Sequence, residues 1–408
     1  MLPAHIAVLN SHPIQYFAPL YAYLNRDPAL CVTALYLSNT SIRGATDKGF
    51  GRPVRWDIDL LEGYPSLFLG KSFDTNVPGG FFSLAAPEIW NELRSGRYDM
   101  LWLNGHNYLA NFIALAAAKT FGMPVLMRSE TNLGLRRSSA RAFFRQPIMR
   151  SLYKTCDAFL AIGTANAKFY RAMGVPDRKV FLVPYAVDNQ RFMAAARRST
   201  NERSAVRKKL KMDPELPAVI YASKFQKRKR PETLVAAAAK LKQEGLRFQL
   251  VFVGSGEMEE ELKNLAGSLG LAEIVFPGFV NQAELPSVFS ACDIFVLASE
   301  NEPWGLVVNE AMCAGLPVIV SDEVGCAPDL VKNGVNGFVI PAGNTRALAE
   351  ALRPLLLDSG LRQRMSEAAL RQIADWSYAQ CMDGIKSAVE FVRKGAGGLG
   401  VSAFGPRS

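Results

Sequence analysis

The sequence predicts an α/β protein: two open parallel-sheet domains facing each other across a cleft. Three observations lead there. At 408 residues the chain exceeds one ordinary core and suits two domains. Short β-branched or apolar runs alternate with helix-like segments, the order of βαβ units, and the alternation runs twice. Between the two runs lies a polar, charged stretch, 195–217, from "AARRSTNERS" to "DPELP".

Each strand candidate is short and apolar. In the first half they are "HIAVLN", "VTALYLS", "MLWLN", "PVLMRS", "AFLAIG" and "VFLVPY"; in the second, "PAVIYAS", "FQLVFVG", "IVFPGF", "IFVLAS" and "PVIVSD". Periodic segments such as 232–243 and 258–269 read as helices between them. The stretch 195–217 reads as the interdomain connection with the first helix of the second domain. After residue 343 the pattern is helical only: 345–357, 360–373 and 377–394. The expected division is a first domain over 1–193 and a second over 194–376. The final helix, about 377–394, packs back on the first domain, and a glycine-rich tail, 395–408, is expected to be mobile. Open parallel sheets bind ligands at the carboxyl ends of their strands, so both domains should present those ends to the cleft.

Composition narrows the class. The chain is 49% hydrophobic and 21% charged, a globular balance. Its most apolar stretch, "YLANFIALAAAKTFGMPVLM", is interrupted by Lys119, Gly122 and Pro124 and falls short of a membrane span. "HIAVLN" reads as a first strand, not a signal peptide. Cys31, Cys156, Cys292, Cys313, Cys326 and Cys381 form no CxxC pair and read as reduced cytosolic thiols. The net charge of +10 sits in one half: residues 1–200 carry 23 Lys+Arg against 13 Asp+Glu. Such a one-sided field points to an anionic partner.

Chemistry concentrates in "ENEPWGLVVNEAMCAGLPVIVSD". The stretch reads as a loop, a helix over about 304–314 and a strand, with Pro303 near the first helical position and Gly315 after the last. A helix N-terminus offers unpaired amides to a phosphate, and Gly305 lets the backbone approach it. Glu302 overhangs the entrance and Glu310 lies inside the helix. Beside a phosphate, carboxylates suit paired sugar hydroxyls, since an ionised carboxylate accepts several hydrogen bonds. A nucleotide-sugar, with ribose diol, diphosphate and second sugar, fits all three features. Solvated acids on a helix face are the alternative. In "YASKFQKRKRPETLV" a strand ends and five cations follow: Lys224, Lys227, Arg228, Lys229 and Arg230. They read as counter-charge for a diphosphate or as a solvated basic loop. No nucleic-acid motif or aromatic interleaving accompanies them, so no nucleic-acid partner is expected. "LVFVGSGEMEEEL" offers a tight turn at Gly254 and, second, a nucleotide contact.

These stretches, with "FPGFVNQAEL" and "VGCAPDLVKNGVNGFVIPAGN", stand in the order and spacing of family 4 glycosyltransferases, which the chain resembles across its second half. The first half is similar more loosely, around "GVPDRKVFLVPYAVDNQRF". The resemblance implies a GT-B fold, with an acceptor-binding first domain and a donor-binding second, and a retaining hexosyltransferase. It implies that Glu310 holds the donor ribose and Glu302 the transferred sugar. Backbone at Gly305 and Leu306 would contact the diphosphate or sugar beside Trp304. Lys224 and Lys229 would neutralise the leaving diphosphate, and Phe279 and Val280 would line the base pocket. Lys224 departs from the family's usual arginine, keeping charge and losing the bidentate fork. Retention implies same-face attack, with the leaving phosphate taking the acceptor's proton; neither a carboxylate nucleophile nor a metal or other cofactor is expected. Asp57-Ile58-Asp59, the one D-x-D, stands without supporting ligands.

The acceptor half is less explicit. "LNSHPIQYF" puts His12 and Gln15 after the first strand, where relatives carry a glycine-rich turn. His12 reads as an acceptor or phosphate contact, or as a loop histidine packed on Pro13. His106 follows "LWLN", and Arg128 and Glu130 end "PVLMRSE". Relatives place a histidine near Glu130, close to the reacting sugar, so Glu130 and His106 are catalytic candidates or buried structure, and Arg128 an acceptor-side one. "LRRSSARAFFRQPIMRSLYKTC" interleaves six cations with apolar residues and no acid. Arg136, Arg137, Arg141, Phe143, Phe144 and Arg145 could contact an anionic membrane, or the segment is an ordinary helix with solvated charge. Pro147 should break it in two. The leading reading is a cytoplasmic transferase, at the inner face of the membrane if that contact is real. It would move a sugar from a nucleoside diphosphate sugar to a sugar or lipid-linked acceptor in cell-surface polysaccharide or glycolipid assembly. A nucleotide-sugar epimerase or a binding protein without turnover is the alternative.

Overall fold

The structure, a computed structural model, describes residues 3–70, 73–135, 139–197 and 200–397. The first half supplies β1 (Ala4–Asn10), β2 (Leu30–Tyr36), β3 (Thr46–Asp47), β4 (Arg52–Pro53), β5 (Ser66–Phe68), β6 (Met100–Asn104), β7 (Val125–Arg128), β8 (Ala158–Ala161) and β9 (Val180–Leu182). The second supplies β10 (Ala218–Ala222), β11 (Gln249–Val253), β12 (Ile274–Gly278), β13 (Ile294–Leu297), β14 (Val318–Ser321) and β15 (Gly337–Ile340). Every strand candidate of the sequence is a strand here. Near-continuous apolar runs such as "AVIYA" and "QLVFV" are buried at every position, as a parallel sheet covered on both faces requires.

The first sheet runs β5-β2-β1-β6-β7-β8-β9 and the second β12-β11-β10-β13-β14-β15, with every pair parallel. In each, strand order reverses beside the first strand, between β1 and β6 and between β10 and β13. Those switch points are where an open α/β sheet leaves a crevice at its carboxyl edge. This is the two-sheet α/β architecture the sequence predicts.

Some local features differ. β5 and β15 are edge strands of three and four residues, too short to rise above their loops in a periodicity reading. The helix expected over about 304–314 spans Leu306–Cys313, because Gly305 takes a left-handed φ of 94° at its cap and Pro303 stays in the loop. Pro147 sits inside one continuous helix, Ser139–Lys154. Burial of Met149, Leu152 and Tyr153 in the core outweighs the one hydrogen bond proline removes. The final helix runs Tyr378–Gly397, past the expected end at 394. It packs on β8, β9 and the helix Ala18–Leu24, with the Phe391 and Phe181 rings 5.4 Å apart and Lys386 2.7 Å from Asp27. Gly384 permits this approach, since a Cβ there would meet the Leu182 carbonyl oxygen at 2.0 Å. Residues 398–408, most of the expected tail, lie outside the described residues.

The chain crosses between the two halves twice, and Asn189 ties the crossings together by donating from Nδ2 to the Ile373 carbonyl at 3.0 Å. Nearby, Asn309 donates to the Tyr185 carbonyl at 2.9 Å and the Trp304 ring packs on Trp376 at 5.3 Å. One apolar core therefore continues from sheet to sheet through the junction.

Candidate functional site

A cleft of about 800 Å³ lies between the sheets, bounded by loops at the carboxyl ends of β1, β2, β10, β11, β12 and β13. After β10 the chain makes a single 3₁₀ turn, Lys227–Lys229, which carries Lys229 inward while Lys227 stays exposed. Lys229 Nζ pairs with the Glu302 carboxylate, and Arg228 Nη1 stands 3.3 Å from the same oxygen. Burial pulls the Lys229 ammonium below its ordinary range, against the raising effect of Glu302. Both partners of this ion pair are buried, and it lies at the switch point of the second sheet.

Behind it the helix Leu306–Cys313 points its N-terminus into the cleft. Its first amides have no intrahelical acceptor and its dipole is positive there. One turn further in, Glu310 is 1% exposed, and its Oε1 has no hydrogen-bond partner among the described residues. Burial pushes this carboxyl up to about 7, while Arg191, Tyr16 and Gln282 pull the other way. An acid so placed asks for hydrogen-bond donors from a ligand. At Gly254 (φ 136°) a Cβ would strike the Ser223 carbonyl oxygen at 2.0 Å, so glycine there lets the β10 and β11 loops close together under the cleft.

The first domain reaches over this site. The β3–β4 hairpin sets Asp47 against Lys224, with Nζ 2.8 Å and 2.9 Å from the two carboxylate oxygens. Ser255 donates to the Phe50 carbonyl at 2.9 Å, and the Phe50 ring lies 4.9 Å from that of Phe279. Trp56 and Arg52 cover the same ring at 6.0 Å and 5.3 Å. Burial pushes the His12 imidazole down to about 4 despite the nearby Asp47, so this ring is neutral at neutral pH; its Nδ1 lies 2.9 Å from Ser11 Oγ.

A second cavity, of about 330 Å³, opens at the switch point of the first sheet. His106 and Arg128 line it. Glu130 and Pro303 line both spaces. Tyr185 donates to Glu130 Oε1 at 2.6 Å, and burial raises the Glu130 carboxyl above its ordinary range.

The chain matches the family description "Glycosyl transferases group 1" over residues 202–372 and "Glycosyl transferase 4-like domain" over 69–186. It is 29% identical over 335 residues to the D-inositol 3-phosphate glycosyltransferase of Actinosynnema mirum, covering 76% of this chain and 77% of that one. It is 27% identical over 268 residues to the alpha-D-kanosaminyltransferase of Streptomyces kanamyceticus, covering 64% and 68%. In fold it is similar to Anabaena HepE, crystallised with UDP and glucose, at a TM-score of 0.70 and 19% identity over 94% of this chain and 99% of that one. The chain is a GT-B glycosyltransferase of family 4.

In this glycosyltransferase the cleft gathers Glu302, Lys224, Lys229, Glu130, Glu310, Gly254, Gly305, Leu306, Phe279, Val280, His12 and Gln15. Other residues stand elsewhere. His106 and Arg128 line the second cavity, because β6 and β7 end behind the Glu130 loop. Of the five cations after β10, only Lys224, Arg228 and Lys229 face the cleft; Arg230 turns away to Glu300 and Glu232. Trp304 borders the cleft, yet its Nε1 donates to Asn309 at 3.0 Å and its ring packs on Trp376 and Tyr185. That indole serves the domain junction. Asp57 accepts from the Ala283 amide at 3.0 Å and Asp59 from the Leu61 amide at 2.8 Å, so the two carboxylates of the D-x-D hold separate turns. Arg136 and Arg137 lie outside the described residues, and only the backbone is described at Arg141, Phe143, Phe144 and Arg145. Tyr16, Asp47, Phe50, Trp56, Arg191 and Gln282 were not singled out from sequence. All but Gln282, which follows Val280 in the second half itself, reach the site through the packing of the two halves, a contact no local pattern records.

Proposed function

We propose that the chain transfers a sugar from a nucleoside diphosphate sugar to an acceptor hydroxyl with retention of anomeric configuration. The observation that carries this reading is the buried Glu310 Oε1, without a hydrogen-bond partner among the described residues, one helical turn behind the N-terminus that Lys229 and Arg228 flank. In the reading, Glu310 accepts from the ribose diol, and the amides of Leu306 and Val307 meet the diphosphate. Glu302 accepts from hydroxyls of the transferred sugar. The base sits against Phe279 and Val280, under Phe50 and Trp56. This division supports a donor of three parts, each with its own partner.

The step itself is a charge separation. The bond from the anomeric carbon to the diphosphate oxygen breaks as the acceptor oxygen bonds to that carbon on the same face. The acceptor's proton passes to the departing phosphate oxygen. Negative charge grows on the diphosphate, where Lys229, Arg228 and Lys224 act most strongly as it develops. No protein nucleophile and no metal is assigned a part. Glu130, beside the reacting sugar, offers a hydrogen-bonding carboxyl where relatives carry histidine. The acceptor is a sugar or a lipid-linked sugar bound on the first domain. Contact of the basic helix Ser139–Lys154 with the inner face of a membrane belongs to the same reading.

Calorimetric titration with UDP, GDP and ADP and their sugars tests it. One base series should bind at micromolar concentration to wild type and at least tenfold more weakly to Glu310→Ala. Binding that survives the substitution would overturn the ribose assignment. Isomerisation of the donor sugar without any acceptor would favour an epimerase instead.

A further inference from the structure

Arg128 closes β7 and is 3% exposed. Its guanidinium lies 5.5 Å from the Phe17 ring centroid, 5.9 Å from that of Trp102 and 5.2 Å from that of Tyr185. Three aromatic faces hold it by cation–π attraction and fix its position. They do not satisfy its donors. Among the described residues it donates no side-chain hydrogen bond and forms no ion pair, and Nη1 is buried without a partner. Glu130, the carboxylate whose charge it feels, is engaged by the Tyr185 hydroxyl.

A buried guanidinium without an oxyanion is an unusual thing for a fold to keep. Desolvating the charge is costly, and arginine's fork is built for two parallel bonds to a carboxylate or phosphate. The space before it is about 330 Å³, within the range that holds a small ligand. Its floor is already internally satisfied: Asn104 donates to Asn10 at 2.7 Å, and Asn10 donates to the Tyr21 hydroxyl at 2.9 Å. The arginine is what the floor leaves over.

We propose that this cavity is an oxyanion site: Arg128 binds a phosphate or carboxylate carried by the acceptor, and so sets the acceptor's hydroxyl beside Glu130 at the cleft. The identity of the ligand as the acceptor rests on the transferase reading; the anion site does not. Arg128 is then a binding residue that selects charged acceptors over neutral ones.

The test is calorimetric, on the full chain, with the donor cleft saturated by whichever nucleoside diphosphate binds. If none binds, the transferase reading has failed, and the same titrations are made on Lys229→Ala, which removes the most buried of the three donor-side cations. The probes are inorganic phosphate, glucose 6-phosphate, glucuronate and glucose. Phosphate should bind wild type and lose at least tenfold in affinity in Arg128→Gln, whose folding is read from its thermal unfolding and its nucleotide affinity. One charged sugar should bind wild type at least tenfold more tightly than glucose: glucose 6-phosphate if the anion is a phosphate, glucuronate if it is a carboxylate. Equal phosphate binding by Arg128→Gln would overturn the proposal. So would charged sugars that bind wild type no better than glucose, a result that stands even if the variant does not fold.

Discussion

The two sheets share one reversal of strand order beside their first strand and one kind of crevice, yet they are furnished differently. At the β10/β13 switch point charge is paired: Lys229 and Arg228 share Glu302. At the β1/β6 switch point the buried cation, Arg128, stands among aromatic rings with no ion pair among the described residues. Topology thus decides where a ligand can sit and says nothing of what it is; that is left to loop residues. A pre-paired site keeps its charges compensated when ligands come and go. A lone cation depends on the ligand to complete it.

Breaking the pair is the severest test of this contrast. Glu302→Ala leaves Lys229 buried without its counter-charge, which should cost about 3–5 kcal/mol of stability and depress transfer by about 10²–10³-fold. Arg128→Met removes a buried cation that forms no ion pair among the described residues, so its unfolding free energy should fall far less than that of Glu302→Ala, by less than about 1 kcal/mol. Comparable losses in denaturant titrations of the two variants would erase the distinction.

Glu310 sharpens it through pH. Its carboxyl is raised to about 7, and the ribose role needs the ionised form. Protonation therefore competes with ligand, so nucleotide affinity should rise about tenfold from pH 6 to pH 8 and level off above. Glu310→Gln should bind weakly with no such slope, and a slope that survives it would assign the titration to another group.

A smaller effect is expected at the hairpin. Asp47 and Lys224 are about one-third exposed, and such pairs contribute about 0–1 kcal/mol. Asp47→Ala releases Lys224 toward the diphosphate and should tighten donor binding by up to about fivefold; weaker binding would mean the hairpin itself is the contact that matters. Smallest of all, Lys227→Ala should change transfer rates by less than about twofold, because that side chain is exposed outside the cleft.

How much of this was legible beforehand follows from the same contrast. Buried parallel strands announce themselves, since most of their positions are apolar, and the donor loops lie within a few residues of strand ends. Glu302, Gly305 and Glu310 could therefore be read as one site from a single stretch. The hairpin was not legible: Asp47 and Phe50 gain meaning only when they meet Lys224 and Phe279 from the other half of the chain. Composition made five equivalent cations of 224–230, but one 3₁₀ turn sends Lys229 inward and Lys227 outward. Trp304 looked like a ligand contact because of where it stands in sequence, while its ring turned to the junction, a choice made by Trp376 and Tyr185. Arg128 was recognisable as a strand-end cation, and its lack of a hydrogen-bonding or ion-pair partner among the described residues was visible only in three dimensions.

The helix Tyr378–Gly397 has a consequence in time as well as in space. It covers β8 and β9, which leave the ribosome long before it does. Until the helix is made, the first domain must wait with that apolar flank open, held by whatever the second domain and the cell's chaperones can offer. A nascent chain halted just before residue 378 should therefore be sticky and readily proteolysed in its first half, the half already synthesised. The domain begun first is finished last.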